Sequence, residues 1–401
     1  MTATANVFHF GIDRFRGLVE VRDPWVDVRD FGARGDGVAD DTEAIRRAAD
    51  FAARNGRTLY FPNGTYNING QIRFPPSTLQ DIWTDPIYVI RGEGPGTKIV
   101  LTGFAGITAP DAVFRFDSSG AIVYVSDMFI SSDGVIVAQN GIHLFHIPGS
   151  SPWLVLTDVG LYIDYAGGEV SAVLYANPGA AAMWFPALRI VGTKESNTLS
   201  YVQWPRLLHV NGTSGGNKVP SVGLINVSIV TDATLITDTA GAATCMFTAV
   251  NCDLGSIAIR PRFVSPIAAC WISDSLVSNL TVLGNGIALI ANTNVRGTLT
   301  PGDSTVVDGW LVARTTWDPP ALNTGQYATV FVPMPNTAGV LIGVGKTARA
   351  AFSQQLPGGC MLTADVVVSG GVTGVRATLW NFSGTTVDLP SGVLTVYVKV
   401  I

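Results

Sequence analysis

Charged residues make up only 14% of this 401-residue chain, and the net charge is −5. A nucleic-acid binder needs a basic footprint, so that class is excluded. Glutamate is nearly missing, with five residues at 20, 43, 93, 169 and 195. Cysteine is as sparse: four residues, at 245, 252, 270 and 360, too scattered for a disulfide framework. No Cys-x-x-Cys pair offers a metal site, and the four read as buried thiols. No apolar run reaches the roughly 18–20 residues of a transmembrane helix. The first residues lack the basic and apolar regions of a signal peptide. The expectation is a soluble chain made in the cytoplasm, without membrane insertion and without a cofactor.

What is abundant points one way. The chain is 47% hydrophobic and carries 44 Gly and 22 Pro. Low charge with many Gly, Thr and Val suits an all-β protein whose strands are buried in closed layers. The length allows a large core and more than one domain.

The stretch from Val28 to Ile68 organises the rest. Gly32, Gly35 and Gly37 fall within six residues around Asp36, which predicts a tight turn. Asp40 or Asp41 then offers an N-cap side chain, and Asp41 and Glu43 favour the positive end of a helix. Ala44, Ile45, Ala48, Ala49 and Ala52 recur at helical spacing as a small-residue apolar face, predicting a helix over about 42–54. Asn55-Gly56 ends it as a left-handed cap, and Thr58–Pro62 follows as a strand closed by the Asn63-Gly64 turn. One helix and one strand cannot bury themselves, so this unit must close the end of something larger.

That stretch resembles the opening of the pectate-lyase-like, right-handed parallel β-helix superfamily, which includes many bacteriophage tailspikes. The run Gly92–Leu101 resembles the family's next segment. The resemblance implies a solenoid whose N-terminal mouth is plugged by the short helix. Residues 28–305 are therefore expected to form a right-handed parallel β-helix. Short apolar strands broken by Gly, Asn, Asp and Ser continue through it to about residue 300. An Asx-apolar-x-apolar repeat aligns Asp127, Asp158, Asn226, Asp253 and Asn279, with steps of 31, 68, 27 and 26 residues. Three short strands and three connections need roughly 21–30 residues per coil, so about ten coils fit.

Residues 1–27, with Phe8, Phe10, Phe15 and Trp25, are expected to be an arm. They suit either a peg that docks on a phage tail or other virion protein, or an irregular segment packed on the first coil. Around Asp303 the texture changes, and Trp317-Asp-Pro-Pro makes a rigid connection. Residues 306–401 alternate with Gly turns at β-sandwich spacing. The run from Val375 to Val398 resembles the small C-terminal β-domain of many phage β-helix proteins. That resemblance implies a trimerisation domain, and with it a homotrimer and a virion location.

The chemistry is harder to place. The family's polygalacturonase pattern of Asn-Thr-Asp, Asp-Asp and Gly-His-Gly is absent, and none of His9, His143, His146 and His209 lies between glycines. The one Asp-Asp is assigned to the helix cap, and no three close acids suggest a calcium lyase. The candidate catalytic acids are Asp164, Glu169 and Glu195, carboxylates in polar loops that could act as acid and base across a glycosidic bond. Tyr162, Tyr165, Trp184, Tyr201 and Trp204 supply flat apolar faces for sugar rings, and Arg260 and Arg262 could grip an acidic sugar. The expected function is a homotrimeric tailspike or tail fibre that engages host surface polysaccharide. Depolymerase, purely adhesive or structural fibre, and, more distantly, cellular lyase or hydrolase remain open alternatives.

Overall fold

The computed structural model describes residues 25–81, 85–102, 112–133, 136–137, 143–149, 152–162, 165–166, 173–177, 183–184, 187–192, 200–203, 206–210, 217–218, 221–229, 233–238, 246–259, 270–282, 288–296, 299–300, 305–307, 310–334 and 346–399. The chain divides into two compact units, residues 1–181 and 182–401. Residues 1–24 of the expected docking arm lie outside the described residues.

The predicted helix forms over Thr42–Arg54, and Ala44, Ile45, Ala48, Ala49 and Ala52 are all buried. Its two aspartates divide the work at the N-terminus. Asp40 accepts hydrogen bonds from the Thr42 amide at 3.0 Å and the Thr42 hydroxyl at 2.5 Å. Asp41, fully buried, turns back instead and accepts from the amides of Arg34 at 2.7 Å and Gly35 at 3.1 Å. It thereby locks the glycine turn to the helix. At the other end Gly56 has φ +60°, the Arg57 amide donates to the Ala52 carbonyl and Gly56 to Ala53. Those are the two bonds of a Schellman cap. The helix packs on the strands Ile72–Phe74 and Leu59–Phe61 and covers the first coil.

Beyond the helix, strands of successive coils pair parallel and in register. In the first unit Leu59–Phe61 pairs with Ile87–Gly92, and Gly64–Ile68 with Thr97–Leu101. The Asn63-Gly64 turn is thus a corner between two sheets of the coil and not a hairpin. The long strands Ile122–Ser132 and Trp153–Tyr162 run in register over nine residue pairs around the same corner. The second unit continues in the same way from Ala187–Val191 to Thr305–Val307. Strands that wind repeatedly into parallel ladders, with the usual right-handed crossover, make the protein a right-handed parallel β-helix.

The corners show what the Asx repeat encodes. Asp127, Asp158, Asn226, Asn251, Asp274 and Asn292 all have φ between +46° and +58°. Asn and Asp are the side-chain-bearing residues that tolerate this conformation. Asp127, Asp158 and Asn226 are the residues the sequence pattern selects. Asp253 and Asn279 are not corner residues: Asp253 opens the strand Asp253–Ile259, and Asn279 lies inside Leu276–Val282. The true corner steps in the second unit, from 226 to 251, 274 and 292, are 25, 23 and 18 residues. Coils therefore shorten here, and a fixed-period alignment slips off the corner.

At Thr305–Val307 the pairing changes hand, parallel to Ala288–Ala291 on one side and antiparallel to Trp310–Trp317 on the other. A β-sandwich follows. One sheet holds Trp310–Trp317, Gly392–Lys399 and Ala348–Phe352. The other holds Tyr327–Pro333, Val372–Asn381 and Cys360–Ser369. Leu311, Trp317, Val332, Val375, Leu379, Leu394 and Val396 fill the core between them.

Replacing Asp41 with Ala removes the buried carboxylate that accepts from the Arg34 and Gly35 amides. The expected cost is about 3 kcal/mol of stability in denaturant unfolding, whereas Asp40→Ala costs about 1 kcal/mol. Equal effects of the two variants would show that Asp41 does not anchor the turn.

Candidate functional site

In the first unit one sheet of the coil is built from Ile72–Phe74, Ala112–Phe116, His143–Pro148 and Leu174–Asn177. Its inward residues stack by type. Phe114 lies on Phe145 with ring centroids 5.1 Å apart, and Phe74 on Phe116 at 4.6 Å. Alternation along a strand turns the intervening residues to the opposite face. Register then stacks them into a column of Arg73, Arg115, His146 and Tyr175. Four coils thus deliver two guanidiniums, an imidazole and a phenol to one line, spaced by the strand separation of about 4.8 Å.

Exposure falls along the column. Side-chain exposure is 66% at Arg73 and 37% at Arg115, and the residues His146 and Tyr175 are 6% and 3% exposed. Asp117 ties the two arginines together, 2.6 Å from Nε of Arg73 and 3.8 Å from Nε of Arg115. The Tyr175 ring lies parallel to His143 at 4.0 Å and tilted against His146 at 4.8 Å. Neither ring nitrogen of His146 has a hydrogen-bond partner. A buried polar group without a partner is rare and calls for a reason.

Burial, helped by the Arg115 charge and opposed by Asp117, pushes the His146 imidazole down to about 4. At neutral pH His146 is therefore uncharged, with a lone pair available on one nitrogen. A neutral imidazole beside a guanidinium and a phenol can take a proton from a carbon next to a carboxylate: arginine offsets the carboxylate charge, imidazole is the base and phenol a proton donor. Among the described residues no group of three His, Cys, Asp or Glu could hold a metal ion.

The residues singled out from the sequence are not those of the column. Asp164, Glu169, Glu195, Trp204, Arg260 and Arg262 lie outside the described residues. Tyr162 ends the strand Trp153–Tyr162 and is exposed. Tyr165, Trp184 and Tyr201 lie on strands paired parallel with Ile136–Val137, Asn217–Lys218 and Val227–Ile229 respectively. His143 and His146 lack the flanking glycines of the family's histidine pattern. The signal that could have found them is the i, i+3 pair inside the apolar run His143–Ile147, where charge-bearing side chains must find a special environment. Of the cysteines, Cys252 and Cys270 are buried, Cys360 is half-buried and all three are free thiols. Burial raises the Cys252 thiol to about 11, so it is no nucleophile.

Comparison with known proteins bears on the opening of the chain. The family described as rhamnogalacturonase A/epimerase, pectate lyase-like, matches residues 25–81. Alginate lyase 7 of Azotobacter vinelandii is 39% identical over 75 residues, 18% of this chain and 8% of that protein. Mannuronan C5-epimerase AlgE5 of the same organism is 56% identical over 45 residues, 11% of this chain and 4% of that protein. The chain thus spans less than a tenth of the length of these two relatives. Among solved structures, Geobacillus virus E2 ORF18 superposes over 96% of this chain and 78% of its own, with 16% identity and a TM-score of 0.38.

The electrostatics of the column carry a pH test. An unfolded histidine titrates near 6.5 and folded His146 near 4, so the unfolded state binds the proton first and stability falls as pH drops through that window. The loss reaches about 3 kcal/mol at pH 4. Denaturant unfolding across this range should show it, and His146→Leu should flatten that part of the curve. Parallel curves for the two proteins would remove His146 as the cause. The capping helix, the glycine turn and the first coil, residues 25–81, are thus the part of this parallel β-helix that is similar to the pectate-lyase-like family.

Proposed function

We propose that this chain is a polysaccharide depolymerase of the β-elimination type, acting on a uronate-containing host surface polysaccharide as a homotrimeric virion tailspike. One observation carries the catalytic part: a neutral, hydrogen-bond-free imidazole lies between a guanidinium and a phenol on one face of the coil. In this reading Arg115 and Arg73 hold the uronate carboxylate. His146 takes the proton from the adjacent ring carbon, and the resulting charge delocalises onto the carboxylate beside Arg115. The bond to the leaving sugar's oxygen then breaks, and Tyr175 donates a proton to that oxygen. The products are one chain with a new reducing end and one ending in an unsaturated uronate. The names of the curated relatives, an alginate lyase and a mannuronan epimerase, support a polyuronate, since both reactions begin with proton abstraction next to a carboxylate.

The tailspike part rests on the resemblance of residues 375–398 to phage C-terminal domains and on the sandwich they help form. Residues 306–401 hold three chains together in this proposal, and residues 1–27 dock on the virion. A sheet edge and an open coil end need covering in any solenoid, which association of sandwiches supplies. The adhesive or structural fibre is the second reading; it is favoured by the enclosure of His146 and Tyr175.

The test is to incubate the purified protein with polyuronates and with polysaccharide from a susceptible host. Chain length, reducing ends and the ultraviolet absorbance of unsaturated uronates are followed together. Lyase activity predicts all three changes, and His146→Gln and Tyr175→Phe should each lower kcat by about 10²–10⁴-fold while the protein stays folded. Reducing ends without absorbance would replace elimination with hydrolysis, and Asp164, Glu169 and Glu195 become the residues to mutate. Intact chains that co-elute with the protein would leave an adhesin that binds through the aromatic residues Tyr162, Tyr165, Trp184, Tyr201 and Trp204, with Arg260 and Arg262. In sedimentation the trimer should appear at three times the chain mass, and a stable monomer would overturn the assembly.

A further inference from the structure

The two outer faces of the sandwich differ in kind. On the sheet of Trp310–Trp317, Gly392–Lys399 and Ala348–Phe352, the residues that alternate with the core include Arg314, Arg349 and Lys399. None of the three has an ion pair among the described residues. Arg349 lies instead over the Trp310 ring, 4.8 Å from its centroid. On the other sheet the outward residues include Tyr327, Phe331, Met361 and Trp380, with Phe382 one residue past a strand end. The charges of its strands are a single opposed pair, Asp365 and Arg376, 3.7 Å apart. One face is thus cationic and the other apolar without net charge.

The apolar side chains gather at one end of their sheet and are held in place there. The Tyr327 and Trp380 ring centroids are 4.6 Å apart, and Phe382 stacks on Trp380 at 5.9 Å with an interplanar angle of 7°. Met361 flanks Trp380 on the opposite strand. Tyr327, Phe382 and Met361 are nevertheless 58%, 57% and 48% exposed. Asn381, fully buried beneath them, ties their loops together. Its amide donates to the Gln326 carbonyl at 3.0 Å, and its Nδ2 to the carbonyls of Leu322 and Thr385, both at 2.7 Å. The Phe382 amide donates to the Gly359 carbonyl at 2.8 Å. Farther along the face the Phe331 ring lies across Gly374, where a Cβ would meet its Cζ at 2.4 Å. Exposed rings fixed this way lose little freedom on contact, which is pre-organisation for a partner.

We propose that this apolar outer face is the surface through which copies of the chain associate, a proposal that rests on the trimeric assembly proposed above and adds the face that forms it. Around a three-fold axis a residue near the axis meets its own copies. Arg314, Arg349 and Lys399 would repel themselves there, so the cationic face stays in solvent. Aromatic rings instead pack on one another, and each Asp365 can pair with the Arg376 of a neighbouring copy. The area is sufficient. Three strands of 7 to 10 residues cover roughly 30 Å by 15 Å, on the order of 450 Å². Three such faces bring together roughly 1,300 Å², above the ~1,000 Å² that a specific interface needs. The inference is independent of whether the Arg73–Arg115 column cleaves anything.

Sedimentation of the full chain and its variants tests it. The double variant Tyr327→Glu, Phe382→Glu should raise the concentration for half-assembly by about a hundredfold or more, whereas Arg314→Glu on the cationic face should leave it unchanged. Both aromatic positions are exposed, so the far-ultraviolet dichroism of the double variant should match that of the parent. Peroxide gives a reading without substitution: Met361 should resist oxidation in the assembled chain. A parent chain that sediments as a monomer overturns the trimeric reading, and this proposal with it. A trimeric parent whose double variant assembles equally well overturns the face alone, as does a trimer in which Met361 oxidises at the rate of free methionine. A double variant that stays trimeric but loses host polysaccharide would make the face a sugar platform instead.

Discussion

The solenoid of this protein depends throughout on the in-register stacking of its parallel coils. Parallel strands repeat at one spacing, so a residue type chosen at one position sets the environment of the residue on the next coil. Inside, the rule gives phenylalanine on phenylalanine. At the corners it gives a line of left-handed Asn and Asp residues, where an Asn side chain donates to the Asn or Asp of the preceding coil. On the outer face it places Arg73, Arg115, His146 and Tyr175 in one column, although 102 residues separate the first from the last.

Stacking also imposes close contact at defined points. Gly92 pairs below the corner at Asp127, and a Cβ there would lie 2.1 Å from the Asp127 carbonyl oxygen. The glycine is demanded by approach of backbone and not by an unusual φ. The same closeness makes the coil interior dry, and dryness sets the chemistry of its neighbours. Burial holds His146 neutral, raises the Tyr124 phenol and keeps Cys252 a thiol. Charged groups are tolerated where solvent reaches them or where they are tied, as Asp117 ties Arg73 and Arg115.

Much of the scaffold was legible along the chain because its determinants are local. The alanine face, the Asp40-Asp41 pair and Asn55-Gly56 each act within a few residues, and the helix has the predicted bounds. Three of five Asx residues chosen by pattern occupy corners, since a corner needs a side chain that accepts positive φ. Asp253 and Asn279 were mistaken because coil length changes while the residue pattern at the corner and two residues beyond it looks alike.

The sites were not legible, and the reason is physical. Glycine-flanked histidines and clustered acids are signals in one dimension, whereas the Arg–Arg–His–Tyr column is assembled at right angles to the chain by pairing. The sequence by itself determined that the protein is all-β, opens with a capped helix and turns its coils at Asn and Asp, because local sterics and hydrogen bonding dictate those features. Only the tertiary structure decided which residues share a rung, since register depends on the length of every intervening loop. It alone also decided that His146 is neutral, since desolvation belongs to neighbours that the chain brings together from other coils.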